Sequence, residues 1–282
     1  MILFKRSQDL RHWISEQKNK GKITGFVPTM GALHEGHMEL IKACRSMVDL
    51  TICSIFVNPA QFNDPKDFEK YPVSTEKDIQ MLHQAGTDVL FLPSVDDIYP
   101  QGQGGLETYD LGSLETLLEG RYRPGHFQGV SQVMSRLLKL VKPDHLFMGQ
   151  KDYQQCMVIK KLIESYNLKV YLHVVPTQRE DSGLAMSSRN LLLSDAAKQK
   201  ATTIYNALNF IKDNLSNIPL PRLKDEAKSI LLTAGFEKID YIEICDANTL
   251  MPLTEYNNKT KMVALAAAFI EGVRLIDNLI LN

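Results

Sequence analysis

Cysteine is scarce and scattered: Cys44, Cys53, Cys156 and Cys245 are the only four in 282 residues, with no CxxC pair and no zinc-ligand spacing. This excludes a disulfide scaffold and a structural zinc module, and it reads as free thiols in a reducing cytoplasm. Neither sign of charge is in excess, with 32 Lys and Arg against 33 Asp and Glu. No general field then attracts nucleic acid or an anionic membrane, neither is expected as a partner, and any anion site has to be local. Long apolar runs are missing too: the stretch 263–270 falls far short of the ~20 residues of a spanning helix, and the first ten residues lack the apolar run of a secretory leader. There is no GxxxxGK[ST] loop, and Gly-Gln-Gly-Gly at 102–105 is no GxGxxG fingerprint, so an ordinary P-loop or dinucleotide site is not supported.

What is present is ordinary globular material, 44% apolar, enough for one or two domains without a staple. Apolar runs rich in β-branched residues at 23–28, 50–57, 88–92, 145–148 and 170–175 predict buried parallel strands. Between them, Leu40, Ile41, Cys44 and Met47 recur at helical spacing, as do Val130, Val133, Met134, Leu137, Leu138 and Val141. The pattern predicts an α/β fold: a doubly wound, Rossmann-like parallel sheet over 1–176. After Pro176 a polar loop leads to helical segments at 194–214 and 222–233 and strand-like runs at 239–245 and 261–270. These predict a second, smaller α+β domain, 177–282, placed to act as a lid.

The segment Thr29-Met30-Gly31-Ala32-Leu33-His34-Glu35-Gly36-His37 follows the first strand and opens a helix, so it lies at the carboxyl edge of the sheet, where ligands of such folds bind. His34 and His37, three apart, can face one side, beside backbone N–H groups and a helix dipole that favour an anion. Gly31 and Gly36 would let backbone approach a phosphate. Two imidazoles can donate hydrogen bonds to oxygens that gain charge when a phosphoryl group is attacked. The plain alternative is that one histidine caps or packs while the other sits on the surface. A zinc site is less well supported, because the spacing is not HExxH and no third ligand is near.

Other segments repeat this placement. Asn58-Pro59-Ala60-Gln61-Phe62 offers amides beside an aromatic ring, suited to a small polar acid, although Asn-Pro alone marks a turn. Gly149-Gln150-Lys151-Asp152 follows another strand: the glycine permits close backbone approach, the lysine supplies charge for phosphate, and the aspartate suits ribose or magnesium. Read blandly, a Lys-Asp pair in a loop is solvated surface. Met186-Ser187-Ser188-Arg189 combines two hydroxyls with a guanidinium whose planar fork grips phosphate, or else is a serine-rich turn. Arg121, Arg123 and His126 form a basic cluster to which the residues alone assign no role.

Taken in order, the HxGH of His34–His37 with 56–62, 123–127, 149–155 and 183–190 resembles the pantothenate synthetase family of the HxGH nucleotidyltransferases, over nearly the whole chain. The resemblance implies ATP-dependent condensation of (R)-pantoate with β-alanine to pantothenate, AMP and diphosphate through a pantoyl adenylate, with Mg2+ and in a homodimer. It implies ATP contacts along 30–37, 149–152 and 186–189 and at Gln178, with His34, His37 and Lys151 in the chemistry. It further implies pantoate at Gln61 and Gln155 and a contribution of Gln61 to β-alanine. Tyr71 and Asp78 lie in a stretch resembling the family's Tyr-Pro-Arg-Thr pattern. Two positions depart: Val73 stands where the family has Arg, and Gln178 where it has an apolar residue, so an adenine contact there falls to the backbone. The alternatives are another nucleotidyltransferase, against which Gln61, Gln155 and the motif order speak, an aminoacyl-tRNA synthetase, disfavoured because no RNA-binding extension or basic surface signal is evident, and a noncatalytic nucleotide sensor.

Overall fold

The computed structural model describes residues 1–61, 71–102 and 104–282, so Phe62 and Gln103 of the motifs above lie outside the described residues. Six strands, β1 (Ile2–Phe4), β2 (Thr24–Thr29), β3 (Leu50–Ile55), β4 (Val89–Phe91), β5 (His145–Gly149) and β6 (Tyr171–Val175), form one all-parallel sheet. Their order is β1-β4-β3-β2-β5-β6. Both faces are covered, which is why the central strands read as continuous apolar runs. On one face Phe26, Ile52 and Leu146 pack with α1 (Ser7–Asn19), α4 (His126–Val141) and α5 (Tyr153–Ser165). On the other, Val27, Cys53 and Phe147 meet α2 (Glu35–Arg45) and α3 (Thr75–Gln84).

The chain winds outward from β2 in one direction and from β5 in the other. Loops leaving the carboxyl ends of these neighbouring strands therefore part and leave a crevice, the position where open α/β sheets bind ligands. The histidine motif leaves β2, and the lysine motif leaves β5.

The smaller unit is an antiparallel sheet, β7 (Lys238–Asp246), β8 (Met262–Ile270) and β9 (Val273–Ile280), backed by α6 (Asp195–Ala201), α7 (Thr203–Asp213) and α8 (Leu220–Thr233). Along β8 the side chains alternate: Val263, Leu265 and Ala267 join the core of the parallel-sheet unit, whereas Ala264, Ala266 and Ala268 pack in the core of α7 and α8. The fold class is the one expected from the sequence. Of the elements labelled here, β1, α1, α3 and β9 were not expected. The expected helix over 194–214 is two, broken at Thr202, whose hydroxyl donates to the Gln199 carbonyl (2.7 Å).

Candidate active site

The turn leaving β2 is built by a carboxylate. Gly31 (φ 85°) and Ala32 (φ 49°) are left-handed, and the amides of Ala32 and Leu33 both donate to buried Asp78, at 2.9 Å each, with Ser74 Oγ as a third donor at 2.9 Å. A left-handed alanine persists because Asp78 over-determines the turn. The Ala32 and Leu33 amides thus serve the turn.

At the start of α2 the histidines do two things at once. His34 is the N-cap, its Nδ1 accepting from Gly36 N (3.2 Å), while His37 Nδ1 accepts from His34 N (3.3 Å), a reciprocal capping box. The capping reading and the functional one are compatible, since the rings lie 4.1 Å apart and both line the crevice. Because each Nδ1 is an acceptor, each neutral ring carries its proton on Nε2. Burial and then Lys151 lower His34 to about 4; burial, His34 and Lys151 lower His37 to about 3. Both rings are neutral donors near pH 7. The Gly36 amide expected to meet a phosphate is used by the cap. Glu35 is exposed, placing its charge in the first turn of the helix.

At the end of β5, residues Gln150–Asp152 form a 3-10 turn into α5. Lys151, Asp152 and Gln155 line the crevice, and Asp152 is its one carboxylate among the described residues. Gln150 does not line it: its side chain donates to Asn278 on β9 (3.1 Å). From the other rim, Met186 N donates to the Gln178 carbonyl (3.0 Å), occupying one lone pair of the group expected to meet adenine. Ser187 Oγ caps the following 3-10 helix through Arg189 N (3.3 Å), and Ser188 Oγ lies 3.5 Å from the Tyr71 hydroxyl.

The amide side is a chain of hydrogen bonds. Gln61 Nε2 donates to Met30 Sδ (2.7 Å), and Asn58 Nδ2 donates to Gln61 Oε1 (3.4 Å). His126 Nδ1 donates to the Gln61 carbonyl (2.8 Å), which leaves Nε2 to accept from Arg123 (3.0 Å). Burial and then Arg123 lower His126 to about 4. Val130, Val133, Met134 and Leu137 of α4 supply an apolar wall. Val73 is exposed and lies outside this crevice.

The result is one cleft of about 220 Å³. It brings together His34 and His37, Lys151 and Asp152, Met186 through Arg189, and Gln61 with Gln155. Met30, Gly36, Gly149 and Gln178 also line it, whereas Gly31, Ala32, Leu33, Glu35 and Gln150 do not. Sequence reasoning gave no role to Arg123, His126 or Asp78. The first two were signalled only by a basic cluster, and Asp78 only by a stretch resembling the family's, without a role, since its partners are 45 and 46 residues away.

A profile of the family described as Pantoate-beta-alanine ligase matches residues 2–280. The chain belongs to this family. Among relatives of this pantoate–β-alanine ligase family member are the pantothenate synthetases of Cytophaga hutchinsonii, 43% identical, and Leptospira biflexa, 44% identical, each match covering 100% of this chain and 99% of the other. The crystal structure of pantothenate synthetase from Thermus thermophilus superposes with a TM-score of 0.92 at 35% identity, covering 100% of this chain and 99% of that one. That of pantoate–β-alanine ligase from Francisella tularensis, complexed with β,γ-ATP and β-alanine, gives 0.81 at 40% identity, covering 99% and 97%.

Proposed function

We propose that this ligase condenses (R)-pantoate with β-alanine at the expense of ATP, giving pantothenate, AMP and diphosphate through a pantoyl adenylate. The observation that carries the reading is the meeting, at one switch point, of two neutral imidazole donors, a lysine, a serine–arginine turn and a pair of amides.

A carboxylate is a poor acyl donor because oxide leaves badly, whereas AMP leaves readily. In the first step a pantoate carboxylate oxygen attacks the α-phosphorus, and the bond from that phosphorus to the bridging oxygen breaks, releasing diphosphate. Negative charge builds on the phosphate oxygens, and His34 and His37 meet it with Nε2–H donors that carry no charge of their own to desolvate. Lys151 and Arg189 supply the positive charge, and Ser187 and Ser188 supply hydroxyls. Gln61 and Gln155 hold the hydroxy acid by donating and accepting at once, while the α4 wall suits its dimethyl carbon. In the second step the β-alanine amine attacks the acyl carbon, forming the amide and expelling AMP. A single carboxylate, Asp152, suits Mg2+, which takes one or two carboxylates together with substrate phosphates. When bound, the ion neutralises charge shared between phosphate oxygens.

We further propose that 177–282 acts as a lid on 1–176 through 183–189, the part that moves to reach the nucleotide while the shared core stays joined. Hydrogen exchange of 183–189 should slow with ATP, and unchanged exchange counts against closure. A cytoplasmic compartment is proposed on four unpaired cysteines; no helix of the described residues is long and apolar enough to cross a membrane. A homodimer is proposed from the resemblance.

The test is to follow AMP and pantothenate with ATP, Mg2+, pantoate and β-alanine, omitting each in turn. Exchange of diphosphate into ATP should require pantoate but not β-alanine, and exchange without pantoate overturns the reading. In single turnovers, His37→Ala should slow AMP formation by more than about threefold; an effect within about threefold, less than ~1 kcal/mol, removes His37 from the chemistry.

A further inference from the structure

The two phosphate-facing segments, 149–152 and 183–189, belong to different units of the fold, yet one strand grips both. On β9, Asn278 is buried and reaches into the turn after β5. Its Nδ2 donates to the carbonyls of Gln150 and Lys151, at 2.9 Å each, and its Oδ1 accepts from Gln150 Nε2 at 3.1 Å. The next residue back, Asp277, takes Arg179 in a two-pronged ion pair at 2.6 and 2.9 Å. Arg179 in turn donates to the Gly183 carbonyl (3.1 Å) and lies over the Tyr205 ring at 3.7 Å. Successive side chains of a strand point to opposite faces, so the two segments are held from the two sides of one rigid element.

We infer that Asn278 is a positioning residue for Lys151, and that β9, through Asp277 and Asn278, sets the spacing between the lysine and the serine–arginine turn. A mere adhesive between units would have no need of this arrangement, since Val263, Leu265 and Ala267 already join the two cores. The Asn278 amide spends both of its N–H groups on the backbone of the lysine turn itself. With those carbonyls fixed, the ammonium of a flexible side chain starts from one defined root. The inference rests on the reading of Lys151 as a group that meets phosphate.

The experiment is a double-mutant cycle on pantoate-dependent ATP–diphosphate exchange, with Lys151→Ala, Asn278→Ala and the double variant, each checked for folding by thermal unfolding. Asn278→Ala is expected to lower exchange about 10–100-fold at saturating pantoate, the size of effect that a misplacement near 1 Å produces. The pantoate KM should stay within about threefold, because uniform binding of that acid is untouched. The double variant should be no slower than Lys151→Ala alone, since both changes remove one contribution. Asn278→Thr keeps one hydroxyl donor in a residue that suits a strand, so it should fall between parent and alanine, and it carries the cycle if the alanine variant does not fold. Losses that multiply in the double variant, or a pantoate KM that rises as far as the rate falls, overturn the inference while leaving Lys151 in place. If Lys151→Ala itself leaves exchange unchanged, the reading of the site fails and the positioning role with it.

Discussion

An imidazole held neutral in a cleft is a proton donor without a charge to desolvate, and three histidines here share that condition. For His34 and His37 the N–H is left for a ligand; for His126 it is given to the Gln61 carbonyl, which fixes the ring and the amide together. The cost appears in acid. His126 has a folded value of about 4 against about 6.5 unfolded, so between these values the unfolded chain binds a proton that the folded chain refuses. Stability therefore falls as pH drops through that window, by about 1.4 kcal/mol per pH unit for such a histidine. Urea unfolding between about pH 7 and about pH 5 should show the parent losing about 2 kcal/mol more than His126→Asn, and equal losses would sink the assignment. At this scale the sequence was readable where the chemistry is contiguous. The histidine, lysine and serine–arginine motifs each follow a strand or turn and announce themselves. The roles of Asp78 and Asn278 could not be read, because they lie in amides and carbonyls brought near by the fold, 127 residues away for Asn278 and Lys151.

Elements place these residues through contacts that leave no room for side chains. Helix α4 passes the Pro59–Gln61 turn at Gly129, where a β-carbon would overlap the Ala60 carbonyl, while Asn58 Nδ2 donates to the Gly129 carbonyl (3.3 Å). The glycine thus sets how closely Gln61 approaches the apolar wall of α4. Gly129→Ala is expected to push the turn away, costing about 1–3 kcal/mol of stability as overpacking does. It should also raise the pantoate KM well above parent while the ATP KM changes little. Equal rises in both would mean general damage rather than a displaced Gln61. The elements that escaped the sequence reading did so for physical reasons. β1 has only three residues. α1 carries few apolar residues, with Leu10 and Ile14 its buried ones. β9 interrupts its apolar alternation with Arg274, Asp277 and Asn278, polar side chains that meet partners on other elements.

At the scale of the whole molecule, the two units share a core and an ion network at one seam. Arg274 of β9 donates to both oxygens of Glu119 (2.7 and 2.8 Å) and to Asp240 (2.8 Å), and the Tyr241 hydroxyl donates to Glu119 (2.8 Å). Glu119 is buried, and despite that burial the Arg274 guanidinium beside it holds its carboxyl below the ordinary range. The same carboxylate lies 3.8 Å from Arg123, which donates to His126 and, through it, reaches Gln61. The seam is thus continuous with the substrate side of the cleft. Its energetics follow from what remains when one partner is removed. Arg274→Met would leave Glu119 buried without its main counter-charge, a situation that costs about 3–5 kcal/mol. Glu119→Met with Arg274→Met removes both charges, and Asp240 keeps Lys238 at 2.9 Å. The double variant should therefore recover a large part of the loss in denaturant unfolding, because apolar residues of similar volume replace buried pairs nearly without penalty. It should raise the pantoate KM above that of Arg274→Met, since only the double variant removes the carboxylate beside Arg123. Recovery of stability with the pantoate KM no higher than in Arg274→Met would show that the network only joins the units; recovery of stability with a raised KM would show that it also sets the substrate side.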